Sequence, residues 1–377
     1  MTPATYSAYR SAFAGVQMPF AWLDLDRLEA NAEAIANRAG SKSVRVATKS
    51  VRSVPVLRLI QSLSPKFQGW MCYSGAEAVW LSQQGFDDLL IAYPVVDRLQ
   101  IQAICQEVKS GKQVICMVDS EAHVNHLDSI GREQGVVLPI CIDLDMSIDP
   151  PGIHFGVYRS PINSVEKALS LHSAIKSAKN LDLMSLMGYE AQVAGLGDHV
   201  PGQGLKSVAI RFLKRKSIKA VAERRAAVVD ALRKDGANLR IINGGGVGSM
   251  EFTREETVVT EIAAGSGFYQ SHLFDYYDNF RHQPAAGFAV EIVRQPQPGM
   301  WTCHGGGYIA SGSVGQEKAP CPICPKAPVS TPTKALARSR HLSFIMAQIN
   351  LNSARPFSSG TARPASLRAL QRLALHP

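Results

Sequence analysis

From about Val44 to Ala264, short apolar runs rich in β-branched residues alternate with longer stretches in which apolar positions recur every three or four residues. That alternation is the pattern of strands joined by helices that cover a parallel sheet. It predicts eight strands, SVRVAT (43–48), GWMCYS (69–74), DLLIAY (88–93), QVICMV (113–118), LPICIDL (138–144), DLMSLMG (182–188), LRIIN (239–243) and VVTEIAA (258–264). Between them VPVLRLIQSL, AEAVWLSQQG, VDRLQIQAICQEVKSG, EAHVNHLDSIGREQG and VEKALSLHSAIKSA read as helices, as does the long basic run from Lys206 to Lys234. Gly85, Gly111, Gly135 and Gly236 stand at helix ends, where a left-handed residue closes the last turn before the next strand. Eight such units predict an α/β chain closed into a (β/α)₈ barrel of the TIM type.

The flanks change style. FAWLDL (20–25) reads as a strand and DRLEANAEAIANRAG as a helix with Asp24 or Asp26 near its N-cap. After the barrel, FAVEIVRQPQPGMWTCHGGGYIASGSVG is punctuated by Gly and Pro and holds no helix, so a β domain begins near Gly287. The division expected is an N-terminal segment (1–19), the barrel domain (20–286), the start of a β domain (287–320) and a tail of different character (321–377).

Composition supports a soluble globular chain, 46% hydrophobic and 19% charged, with neither a run of some 20 apolar residues nor a secretion signal at MTPATYSAYRSAF. A cytoplasmic location without a membrane partner is the expectation. The net charge of +9 invites a nucleic-acid partner only until its location is noted. From Cys321 onward lie eight of the 40 basic residues and none of the 31 acidic ones, so residues 1–320 are nearly neutral and no nucleic acid is expected to bind. The seven cysteines are scattered, and Cys321 and Cys324 in CPIC lack a second pair, which argues against both a disulfide framework and a zinc knuckle.

Chemistry is expected at the C-terminal ends of the barrel strands, with an anion held after the seventh and eighth. The seventh run ends in IINGGGVGS, with Gly244, Gly245, Gly246 and Gly248, and the eighth in AAGSGFY, with Gly265, Ser266, Gly267 and Tyr269. Either cluster alone is explained by a tight turn; both at these positions point to a phosphate whose oxygens meet uncovered backbone N–H groups. Lys49, in RVATKSVR after the first run, then faces the same mouth. A lone lysine there is normally a surface residue, but across from phosphate loops its amine, once partly desolvated, can form an imine with an aldehyde.

Asp143 and Asp145 in CIDLDMS either orient a cofactor or bond to barrel neighbours, and Tyr189 in GYEAQ sits at the height of a flat ring. His154 and Arg159 in GIHFGVYRSP follow the fifth run. Arg159 suits a carboxylate or a phosphate, although a solvated loop arginine is the plainer alternative.

Together, FAWLDLDRLEANA, VATKSVR, MCYSGAEAVWL, LMGYEAQVAG, INGGGVGS, TEIAAGSGFY and CHGGGYIASGSVGQEK resemble the fold-type III pyridoxal phosphate enzymes, whose barrel is that of the alanine racemase N-terminal domain. Within these enzymes they are most similar to the D-threonine aldolase and D-serine dehydratase branch, the bacterial amino acid deaminase/aldolase group in particular. The resemblance implies that Lys49 forms the internal aldimine, that Gly244, Gly245, Gly246, Gly265, Ser266, Gly267 and Tyr269 hold the phosphate, and that Tyr189 lies near the pyridine ring. His154 and Arg159 would be substrate contacts, His154 standing where relatives often have arginine. The activity implied is a lyase reaction on a D-3-hydroxy amino acid, either retro-aldol cleavage or dehydration, with an amino-acid racemase or a non-catalytic pyridoxal phosphate carrier as alternatives.

Relatives also carry a divalent metal in a C-terminal β domain and pair as homodimers. Here CPICPKAPVSTPTKALARSRHLSFIM departs from them. A slip of reading frame near Pro320 accounts for the departure, because the adjacent frame can encode a family-like continuation with a candidate metal-binding histidine. The expectation is that the metal site is lost and that 321–377 is disordered.

Overall fold

The computed structural model describes residues 3–200, 202–297, 300–304, 344–348 and 367–370. Eight parallel strands close the barrel in chain order: β2 (Ser43–Ala47), β3 (Phe67–Cys72), β4 (Leu89–Pro94), β5 (Val114–Val118), β6 (Leu138–Asp143), β7 (Leu181–Gly188), β8 (Ile241–Gly244) and β9 (Glu261–Ala264). Closure is made by β2 on β9, with Ser43 opposite Glu261 and Val46 opposite Ala264. The predicted barrel is therefore the observed one, with ends shifted by a few residues. Tyr73 and Ser74 leave β3 because the Ser74 hydroxyl accepts the Glu77 N–H and starts the next helix. Asp97, Ser120 and Ser164 begin the following helices in the same way. Gly85, Gly111, Gly135 and Gly236 all have positive φ, as their places after helices require.

Inside the barrel, Met71, Leu90, Ile115, Met117, Cys141 and Met187 pack into one apolar cluster. Its lower end is polar. Arg45, on β2 and fully buried, bonds to Glu261 on β9 (Nε to Oε1 2.6 Å) and to Asp88 just before β4, while Asn243 on β8 donates to the same Glu261 oxygen at 2.7 Å. The ion pair between the first and last barrel strands pins the register of closure, since a slip of one residue would strand a buried guanidinium. At the upper end Ala47, Ala92 and Ala263 replace the larger side chains and leave room for a cavity.

A second, antiparallel sheet has the order β11–β10–β1–β13, with β12 also on β10, where β1 is Phe20–Asp24, β10 Ala286–Gln297, β11 Met300–His304, β12 Phe344–Gln348 and β13 Leu367–Leu370. FAWLDL is thus a strand as predicted, but one that belongs to this sheet and not to the barrel range in which it was placed. All five residues of β1 are buried, and Phe20 and Trp22 pack with Tyr9 of the N-terminal helix (Pro3–Ala12) and with Phe13 just after it. The β segment expected from Gly287 is present as β10 and β11. In the tail, where disorder was expected, the two segments described are strands; its other residues, and with them the stretch around Pro320 where a slip of frame was expected, lie outside the described residues. No helix among the described residues is long and apolar enough to cross a membrane.

Candidate active site

Lys49 lies just past β2, in the helical turn Thr48–Val51, and not on the strand itself. The turn is held from its neighbour. The Thr48 hydroxyl meets the Met71 carbonyl (3.0 Å) and the Glu77 carboxylate (2.7 Å), and the other Glu77 oxygen accepts the Tyr73 N–H at 2.6 Å. Ser74 and Glu77 have capping-box spacing, yet the carboxylate bonds to the Tyr73 N–H and to Thr48, which ties the helix start to the turn carrying Lys49. With Thr48 fixed, the Lys49 amine stands 5.8 Å from the centre of the Tyr93 ring, in a cavity at the C-terminal end of the barrel.

The same cavity is lined by Arg159, Tyr189, Gly245, Gly246, Gly265 and Ser266. Arg159 is not the solvated loop residue that the sequence made the plainer choice. Its side chain is 12% exposed, its Nε donates to Asp143 at 3.0 Å and its Nη2 to the Ala92 carbonyl at 2.5 Å. Asp145 shapes the loop beneath it by accepting the N–H groups of Ser147 (2.8 Å) and Arg159 (3.0 Å). Burial raises the Asp143 pKa to about 6 even though Arg159 pulls it down. The two aspartates are thus separate devices, one aiming the arginine and one bracing its backbone.

The glycine loop after β8 is fixed from behind by Glu190, a residue the sequence offered only as a neighbour of Tyr189. Its carboxylate accepts the Gly245 N–H (3.1 Å), the Ser249 hydroxyl (3.0 Å) and the Thr253 hydroxyl (2.6 Å), and pairs with the fully buried Arg225 at 2.9 Å. Arg225 also pairs with Glu256 and donates to the Gly188 carbonyl at 2.8 Å. Two of the N–H groups expected to be uncovered are therefore engaged, Gly245 by Glu190 and Gly246 by the Ser249 hydroxyl at 3.1 Å. These glycines contribute closeness. A Cβ on Gly246 would press on the Tyr189 ring at 3.2 Å, and one on Gly244 would meet the Arg225 guanidinium at 2.9 Å.

After β9 the fit is tighter still, since a Cβ on Gly265 would lie 2.8 Å from the Ala47 Cβ and 2.9 Å from that of Ser50. Gly265 and Ser266 open into the cavity; Gly244, Gly267 and Tyr269 do not line it. The Tyr269 hydroxyl donates to the Val51 carbonyl at 2.8 Å, so it braces the Lys49 turn and its proton is not offered to an anion. The Tyr189 phenol is pushed up to about 12 by burial and by Glu190, which keeps it neutral. His154 stands apart, stacked on Tyr158 with ring centres 3.7 Å apart and bonded to Asp149.

Comparison with known proteins agrees with this fold. The family model described as alanine racemase, N-terminal domain, matches residues 23–271. A D-threonine aldolase from Arthrobacter sp is 23% identical over 254 residues, which are 67% of this chain and 61% of that enzyme's length. Among solved structures, D-threonine aldolase from Filomicrobium marinum superposes with a TM-score of 0.72 at 18% identity, covering 89% of this chain and 88% of the other. D-threo-3-hydroxyaspartate dehydratase from Delftia sp. HT23 superposes with a TM-score of 0.65 at 17% identity, covering 91% and 86%.

Proposed function

Because the chain belongs to the alanine racemase N-terminal domain family, we propose that it binds pyridoxal phosphate at the barrel mouth and acts as a lyase on D-3-hydroxy amino acids. One observation carries the reading: the Lys49 amine opens into the same cavity as the glycine loops that follow β8 and β9. The residues present fit the cofactor. An amine is there for its aldehyde, Tyr189 lies against Gly246 as a wall for a flat ring, and Gly265 and Ser266 offer a close backbone and a hydroxyl to its phosphate. When bound, the cofactor supplies the sink for an electron pair released at the substrate's α-carbon.

The chain's own residues do the rest. Lys49 holds the aldehyde, and the Glu190 network keeps the 245–246 loop rigid against the ring face. Arg159, aimed by Asp143, presents a fixed cation to an oxygen of cofactor or substrate. The lyase choice draws support from the likeness to D-threonine aldolase and D-threo-3-hydroxyaspartate dehydratase, both named for 3-hydroxy substrates or their cleavage. Incubating the pyridoxal-phosphate-loaded protein with D-threonine and D-serine tests it. Glycine and acetaldehyde, or keto acid and ammonia, are the expected products; interconversion of enantiomers with neither would favour a racemase and reject the lyase.

Asp143 gives this site a pH dependence with a definite sign. Its folded pKa is raised from 3.8 to about 6, so the folded protein binds its proton more tightly than the unfolded one. The group's contribution to stability is full below that window and is lost as pH rises through it. For the site the sign is opposite, because below about 6 the neutral acid no longer aims Arg159 by charge. Pyridoxal phosphate affinity is expected to weaken about tenfold, ~1.4 kcal/mol, as the carboxylate is protonated. Asp143→Asn should show that weaker affinity already at pH 7, with the remaining pH dependence flattened; an Asn variant that titrates like the wild type would remove Asp143 from this role.

A further inference from the structure

Tyr93 was not among the residues that the sequence singled out; it is the last but one residue of β4 and lines the cavity. Four elements face it. The turn after β2 brings Lys49, whose amine is 5.8 Å from the ring centre; the loop after β6 brings Arg159, whose guanidinium carbon is 4.9 Å from that centre and which Asp143 holds. The end of β3 brings Tyr73, edge-on with ring centres 5.3 Å apart, and the end of β7 brings Tyr189. The groups that face Tyr93 are therefore an amine, a guanidinium and two phenols, and the guanidinium is already bonded to Asp143.

We propose that Tyr93, set between Lys49 and Arg159 at the cavity, is the base that takes the hydroxyl proton of the substrate. The inference rests on the lyase reading above. It follows from the chemistry of the described lining residues. Lys49 is committed to exchanging the aldehyde with the substrate's amine, Arg159 is a permanent cation, and the Tyr189 phenol is pushed up to about 12 by burial. For Tyr93, burial would raise the pKa, but Lys49 and then Arg159 outweigh burial and lower it. Tyr93 is 38% exposed, so a substrate entering the cavity can reach it.

The balance is simple for retro-aldol cleavage. The Tyr93 oxygen accepts the proton of the 3-hydroxyl as the bond between the α- and β-carbons breaks, and the β-carbon and its oxygen become an aldehyde. Pyridoxal phosphate, when bound, would supply the sink for the electron pair of the broken bond. Tyr93 then gives its proton to the α-carbon, which leaves glycine and restores Tyr93 as a base.

Two measurements test this. In the apoprotein, near-ultraviolet titration should show one tyrosine ionising ahead of the others, absent in Tyr93→Phe and moved to higher pH in Lys49→Met, which removes one cation. In the loaded enzyme, Tyr93→Phe should lower kcat for glycine release from D-threonine by roughly 10²–10⁴-fold and abolish the acid limb of its pH profile, while borohydride still traps the cofactor on Lys49. Identical tyrosine titrations in wild type and Tyr93→Phe, or an acid limb that survives the substitution, would overturn the role of Tyr93 and leave the lyase reading standing. No product from the wild type would overturn both.

Discussion

Lys49→Ala is expected to lower product formation from a D-3-hydroxy amino acid by on the order of 10⁴-fold while leaving the fold intact. Borohydride treatment of pyridoxal-phosphate-loaded wild type should label the peptide that carries Lys49 and no other, and the alanine variant should remain unlabelled. The fold should survive because the Lys49 turn is anchored without the amine. Thr48 is tied to Met71 and Glu77, Val51 is buried and accepts the Tyr269 hydroxyl, and the amine itself lines the cavity. Removing it should therefore change stability by no more than about 0.5 kcal/mol, as at positions outside the packed core. A label on a different lysine, or full activity in the variant, would end the assignment of this cavity.

The second large effect is expected at Glu190, and here stability and site should fail together. Arg225 is fully buried, and Glu190→Ala leaves it with Glu256 and the Gly188 carbonyl, while the Gly245 N–H and the hydroxyls of Ser249 and Thr253 lose the carboxylate they share. Breaking a buried pair by deleting one partner destabilises by ~3–5 kcal/mol. Glu256 remains as a counter-ion, which sets the expected loss near the lower end. Glu190→Gln keeps one acceptor oxygen but loses the charge and turns the other oxygen into an amide donor, so it should fall between wild type and Glu190→Ala. Denaturant midpoints read the stability and absorbance titration reads cofactor capture. An alanine variant that unfolds at the wild-type midpoint would show that the network does not hold the loop.

What the sequence disclosed follows from where each signal resides. The eight barrel strands were legible because burial on both faces makes each a short continuous apolar run, and because caps such as Asp97 and Ser120 mark where helices begin. Both glycine loops were legible through the rule that barrels carry their chemistry at strand ends, and so was the neighbourhood of Lys49. Partnerships were not. Arg45 meets Glu261 across 216 residues and Glu190 meets Arg225 across 35, and only closure of the barrel brings them within bonding distance. The role of Tyr269 was misjudged for a related reason, since a hydroxyl beside a glycine loop can turn either way and here it turns to Val51. Arg159 looked solvated because nothing in GVYRSP shows that Asp143 and the Ala92 carbonyl wait above β6 and β4.

The place of Phe20–Asp24 has a consequence for how the molecule is made. Its two neighbours, Ala286–Gln297 and Leu367–Leu370, leave the ribosome only after the whole barrel that separates them from it in sequence. Until they emerge the nascent chain carries an apolar strand with both edges bare, the form most prone to self-association. Chaperone demand during synthesis should accordingly track the interval between emergence of Phe20 and emergence of Ala286, and a pause in elongation inside the barrel would lengthen that exposure.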